Sequence, residues 1–141
     1  MAWLDGLTGV EDCIADGLRR SSRGGDWLTF ERYVLAAHRH PSRVFTPVLC
    51  EVLNRHSDEV NNEDIVDVLA DIRDPAAVGC LEEIILWQPP WDEYRQLAVK
   101  AVWALAAIGT PDAMLLLQEA ACCEASEIRE AAAHKLRLAG S

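Results

Sequence analysis

The sequence predicts an all-α fold, a short solenoid of about four helical hairpins. Three observations carry that expectation. First, one phrase recurs: Glu31-Arg-Tyr-Val-Leu-Ala-Ala-His-Arg-His-Pro41, Ile65-Val-Asp-Val-Leu-Ala-Asp-Ile-Arg-Asp-Pro75 and Ala101-Val-Trp-Ala-Leu-Ala-Ala-Ile-Gly-Thr-Pro111. Its prolines lie 34 and 36 residues apart, with Leu35, Leu69 and Leu105 at one place in each copy. A period of that size marks stacked helix pairs. Second, no stretch alternates apolar and polar residues as a strand does, while the helix formers Ala, Leu and Glu are abundant. Third, proline and glycine cut the chain into helix-length pieces.

Taken in order, a first helix starts near Thr8 or Val10, with Val10, Ile14 and Leu18 four apart, and ends at Ser21-Ser-Arg-Gly-Gly25. A second runs from about Trp27 to Arg39 and breaks at His40-Pro41-Ser42. The third covers Val44 to Arg55, with Pro47 in its first turn, where a missing N–H costs little. A fourth spans Asn61–Arg73 and stops at Asp74-Pro75; a fifth runs from Ala76 to Trp87, before Gln88-Pro-Pro-Trp91. The sixth extends from about Asp92 to Ile108, the seventh from Asp112 to Cys123 and the last from Glu127 to Leu138. These group as one domain, 1–141, of four pairs: 8–40, 41–74, 75–110 and 111–139.

Composition narrows the partners. The 141 residues carry 13 Lys and Arg against 23 Asp and Glu, a net charge of −10. Such an excess opposes phosphate backbones and anionic lipid, both of which need positive patches, so neither a nucleic acid nor a membrane is expected. The longest apolar runs, such as Met114-Leu-Leu-Leu117, are far too short to cross a bilayer. The first 20 residues contain Asp5, Glu11, Asp12 and Asp16, unlike a signal peptide. A cytoplasmic protein is expected. The five cysteines, at 13, 50, 80, 122 and 123, suit reduced thiols among helices, with one of the adjacent Cys122 and Cys123 buried and the other exposed.

The phrase Ile72-Arg-Asp-Pro-Ala-Ala-Val78 and the run Glu127-Ile-Arg-Glu-Ala-Ala-Ala133 resemble the HEAT-like repeats of phycobilisome-lyase type. The resemblance covers 61–139 well and 27–60 more weakly. It implies a short right-handed α–α superhelix in which the second helix of each pair lines the concave side. Gly109 is matched by Arg73 and Arg39, and Pro47 has no counterpart. Such repeats serve many unrelated roles, so the resemblance speaks to fold rather than to activity.

A helical wheel on the sixth helix groups Ala98, Ala101, Val102, Leu105 and Ile108 as core and sets Trp103 on the far side. Carrying that register through the repeat gives a ridge of Phe30, Tyr33, Asp64, Asp67, Asp71, Lys100 and Trp103. By the resemblance, this ridge faces a protein partner. Aromatic anchors beside selecting charge are what an interface core uses; the plainer reading is a tryptophan folded over its neighbour and solvated aspartates. Residues 58–74 hold seven acids (Asp58, Glu59, Glu63, Asp64, Asp67, Asp71, Asp74) against Arg73 alone. Asp64, Asp67 and Asp71 share a helix side, where their repulsion invites a compensating cation. A basic protein is the expected one. Trp91, after two prolines, either reaches a partner or staples the start of the sixth helix beside Tyr94, and the staple is favoured. Trp27, also at a helix start, has the same staple reading.

No constellation announces chemistry. His38, His40, His56, His134, Cys122 and Cys123 form neither Cys-x-x-Cys nor His-x-x-x-His spacing. His38 falls in the column of Ile72 and Ile108, as a core or edge histidine. The His-Glu dipeptides of HEAT-like iron hydroxylases are missing, the charge is the reverse of a HEAT-like DNA glycosylase's, and no bilin pocket is identifiable. No catalytic residue, metal or cofactor is expected. The function expected is a non-catalytic protein-binding module, an inhibitor or immunity-type antagonist of a basic protein. The alternatives are an adaptor or scaffold subunit and a small-molecule lyase.

Overall fold

The computed structural model describes the backbone of residues 2–140 and the side chains of residues 9–140. Eight α-helices appear there and no strand: α1 (Ala2–Gly24), α2 (Trp27–Arg39), α3 (Thr46–Asn54), α4 (Asn62–Ile72), α5 (Val78–Leu86), α6 (Gln96–Ile108), α7 (Pro111–Ala120) and α8 (Ser126–Ala139). Single 3₁₀ turns, Arg43–Phe45 and Pro75–Ala77, lead into α3 and α5. Helices α1 and α2, α3 and α4, α5 and α6, and α7 and α8 pack as hairpins, and helices two apart also touch. The even helices α2, α4, α6 and α8 therefore form one row, and the odd helices α1, α3, α5 and α7 another. One continuous apolar cluster lies between the rows.

Short polar side chains begin the hairpins. Ser42, Asp74 and Thr110, each in extended backbone beside a proline, accept hydrogen bonds from the N–H groups of Val44, Ala76 and Ala113. They satisfy donors that a helix start leaves without an internal partner. Asn61 does the same for α4 by accepting from the Asp64 N–H. The sixth helix begins four residues later than Asp92. Arg95 adopts a left-handed conformation, φ 57°, and interrupts the turn there. The buried Asp92 carboxylate reaches forward instead, accepting from the N–H groups of Gln96 at 2.9 Å and Leu97 at 3.0 Å.

The repeat is not in register where its prolines say it is. In α4 and α6 the core positions are Ile65, Leu69 and Ile72, and Ala101, Leu105 and Ile108; in α2 they are Phe30, Val34 and Ala37. The step between α4 and α6 is the 36 residues read from the prolines, but the step from α2 to α4 is 35, not 34. The cause lies in how the helices end. Arg73 and Gly109 close α4 and α6 in the left-handed conformation, with one extended residue before the proline. His40 instead closes α2 at φ −130°, leaving one residue fewer between helix and Pro41. One residue is 100° of helix. Leu35 is accordingly 61% exposed, while Leu69 and Leu105 are fully buried. His38, expected beside Ile72 and Ile108, is likewise exposed.

Helix α1 starts at Ala2, well before the expected Thr8 or Val10, and packs on α2, α3 and the first 3₁₀ turn. Ile14, Ala15 and Leu18 face the core, whereas Val10 is exposed. Gly17 is required here, because a Cβ at that position would fall within the Tyr33 ring.

Candidate functional site

The strip expected from the sequence lies on the even helices, and the structure divides its members. Phe30 is fully buried and packs edge-to-face on Trp27, ring centroids 5.4 Å apart. Tyr33 is half-buried against Gly17 of α1. Neither belongs to an outer ridge, which corrects the expectation for both: the one-residue slip turns them toward the interior and toward α1. With the 35-residue step, Thr29 and Arg32 take their places in the columns of Asp64 and Asp67, and Leu28 and Leu35 turn out to be 70% and 61% exposed, seven residues apart on one face of α2. The spacing of Phe30, Val34 and Ala37 within α2 held the information to find them. Counting from Pro41 concealed it.

Of the remaining five, Lys100 and Asp67 meet directly, and Asp64 shares a groove with Asp67. Asp64, Asp67 and Asp71 line one side of α4, and a groove between α2 and α4 is walled by Val34, Leu35, His38, Asp64, Asp67 and Val68. From α6, the Lys100 ammonium donates to Asp67 at 2.8 Å and lies 3.5 Å from Glu63. The Asp67 hydrogen bond, above all, holds the Lys100 pKa above its ordinary value. From α2, His38 Nδ1 sits 3.2 Å from Asp71. Trp103 is 45% exposed, one turn beyond Lys100, with the Lys135 ammonium of α8 5.9 Å from its ring centroid. Leu35 of α2 and Lys100 of α6 thus approach Asp67 of the intervening α4 from either side.

The cation that the aspartates invite is supplied from within for one of them: Lys100 serves Asp67, while the His38 imidazole lies beside Asp71. Three more acids of the run are also engaged. Glu59 accepts from Trp27 Nε1 at 2.9 Å and Asp58 from Trp91 Nε1 at 2.7 Å, while Asp74 caps the turn before α5. Glu31 accepts from the Asn61 N–H at 2.9 Å, and its partial burial, foremost, raises its pKa. Trp91 also meets Trp87 edge-to-face, and Trp87 stacks on His56 at 4.6 Å. This aromatic group ties the Gln88–Trp91 loop to the α3–α4 turn, so Trp91 makes contacts of its own although half its surface remains exposed.

Among the described residues, no three His, Cys, Asp or Glu side chains gather as metal ligands would. No described helix is long and apolar enough to cross a membrane. The even row presents exposed apolar side chains beside carboxylates. No family model, curated protein or solved structure matches the chain.

Proposed function

We propose that the chain is a non-catalytic, HEAT-like helical-repeat module that binds a basic protein partner through the outer face of α2, α4 and α6. One observation carries the reading: Leu35, 61% exposed, lines a groove with Asp64 and Asp67, while Leu28, seven residues before it on α2, and Trp103, one turn past the Lys100 that pairs with Asp67, are 70% and 45% exposed. Large apolar side chains left in water beside charge match the anchors and polar surround of an interface. The partner's sign follows from the whole molecule. A net charge of −10 speeds capture of a basic protein and repels an acidic one. Within this class the best-supported role is an inhibitor or immunity-type antagonist that covers its target. An adaptor that holds the same target without silencing it is the second form.

A photo-crosslinker placed at Leu35 or Trp103, in parallel with one at exposed Leu115 on the odd row, tests the assignment. Basic proteins should be captured from the first two positions and not from the third, and capture should fall steeply with added salt. The double variant Trp103→Ala, Asp67→Lys should keep its helicity and lose capture. Equal labelling from Leu115, or undiminished capture by the double variant, refutes the docking face. An assay of the captured protein's own activity then separates antagonist from adaptor.

A further inference from the structure

Cys50 lies in the middle of α3 and Cys80 in the first turn of α5, neighbours in the odd row. Their Sγ atoms are 2.7 Å apart, with the Cys80 thiol donating to Cys50. The bonded distance is about 2.05 Å, so a small movement closes the gap. The two differ in access: Cys80 is 6% exposed, and its Sγ also lies 3.3 Å from the Ala77 carbonyl, whereas Cys50 is only half-buried. Cys13, Cys122 and Cys123 lie elsewhere, on α1 and at the turn between α7 and α8.

We infer that Cys50 and Cys80 are a reversible thiol–disulfide site, oxidised by small disulfides of the glutathione class, that clamps α3 to α5. The hydrogen bond from Cys80, above all, lowers the Cys50 pKa and so favours its thiolate, the attacking form; the same contact and burial raise that of Cys80. Cys50 thiolate attacks one sulfur of the small disulfide, whose S–S bond breaks and releases one thiolate. That leaving thiolate takes the Cys80 proton. Cys80 then attacks the Cys50 sulfur of the mixed disulfide and expels the second thiolate, which takes up from water the proton that Cys50 released on ionising. The protein gives up two electrons and two protons, and the small disulfide becomes two thiols. The order suits the geometry, because the accessible sulfur is struck first and the buried one resolves it from contact distance.

The clamp joins points 30 residues apart, which restricts the unfolded chain. The test incubates the reduced full-length protein with oxidised glutathione, blocks the remaining thiols and maps the peptides. Expected are a Cys50–Cys80 linked peptide, a rise in Tm of roughly 5–10 °C, and reversal of both by a reductant. Cys50→Ser removes a half-buried atom rather than a core one and should abolish the link and the rise together. The proposal is overturned if Cys50 and Cys80 stay open to alkylation while Cys13, Cys122 or Cys123 take up glutathione. It is equally overturned if the link forms and Tm falls, since the pair would then have to distort the fold to bond. The site stands on the other row of helices, so this outcome is independent of whether the even row binds a partner.

Discussion

Truncating three leucines that occupy one place in the sequence repeat should give two unlike results. Leu69 and Leu105 are fully buried, so Leu69→Ala and Leu105→Ala each lose a side chain's burial and leave a cavity, a cost of about 2–5 kcal/mol. Leu35 is 61% exposed and fills no core space, so Leu35→Ala should stay within about 0.5 kcal/mol of the parent. The core position in α2 is Val34, 2% exposed, where Val34→Ala should cost about 2 kcal/mol for its two methyl groups and the void they leave. A domain of this length unfolds with an entropy of about 0.3 kcal/mol/K, so each kcal/mol moves Tm by about 3 °C. The buried leucine variants should therefore melt about 7–17 °C lower, Val34→Ala about 7 °C lower and Leu35→Ala within about 2 °C of the parent. Urea unfolding followed by circular dichroism checks the ranking, with an unchanged m-value showing that the same surface is exposed in each case. Should Leu35→Ala fall among the buried leucines while Val34→Ala proves silent, the register runs from the prolines after all, and the outer face built on Leu28 and Leu35 disappears with it.

Two further measurements probe the contacts around that face. Gly17→Ala ought to destabilise by about 1–3 kcal/mol despite the better helix propensity of alanine, because the new Cβ meets the Tyr33 ring; Gly79→Ala, with open space around its Cβ, should be neutral or stabilising by up to about 1 kcal/mol. Equal effects in thermal melts would show that α1 does not seat on Tyr33. Lys100 has a folded pKa raised above its unfolded value of 10.5. Its contribution is therefore complete below pH 10.5 and lost as pH climbs through the folded value. Lys100→Met should cost roughly 1 kcal/mol at neutral pH and narrow its gap to the parent above pH 10.5; a gap that widens with alkali would mean the ion pair is not the source.

Helix existence was legible in the residues because proline, glycine and capping side chains act locally. Trp27–Arg39 is a helix in both readings, and Pro47 sits in the first turn of α3 as expected. The start of α6 was not legible. A carboxylate at Asp92 reads as a helix start, and nothing in the residue types shows that Arg95 adopts a left-handed turn between that carboxylate and the N–H groups it caps. The outer face was legible on α4 and α6, whose left-handed closures keep them in step, and illegible on α2. There the distance from helix end to proline changed by one residue, enough to turn Phe30 and Tyr33 inward and leave Leu28 and Leu35 exposed.

That change alters what a partner must supply. An acidic run read from sequence alone asks for an outside cation, but here the ammonium of Lys100 and the imidazole of His38 already stand beside Asp67 and Asp71. Displacing them would leave the protein's own groups unpaired, so a partner gains little by competing for those oxygens. The free energy of docking has to come chiefly from covering Leu28, Leu35 and Trp103, with the net negative charge of the chain accelerating encounter rather than holding the complex. Salt should therefore slow association strongly and change dissociation little, whereas Leu35→Ala and Trp103→Ala should act mainly on dissociation.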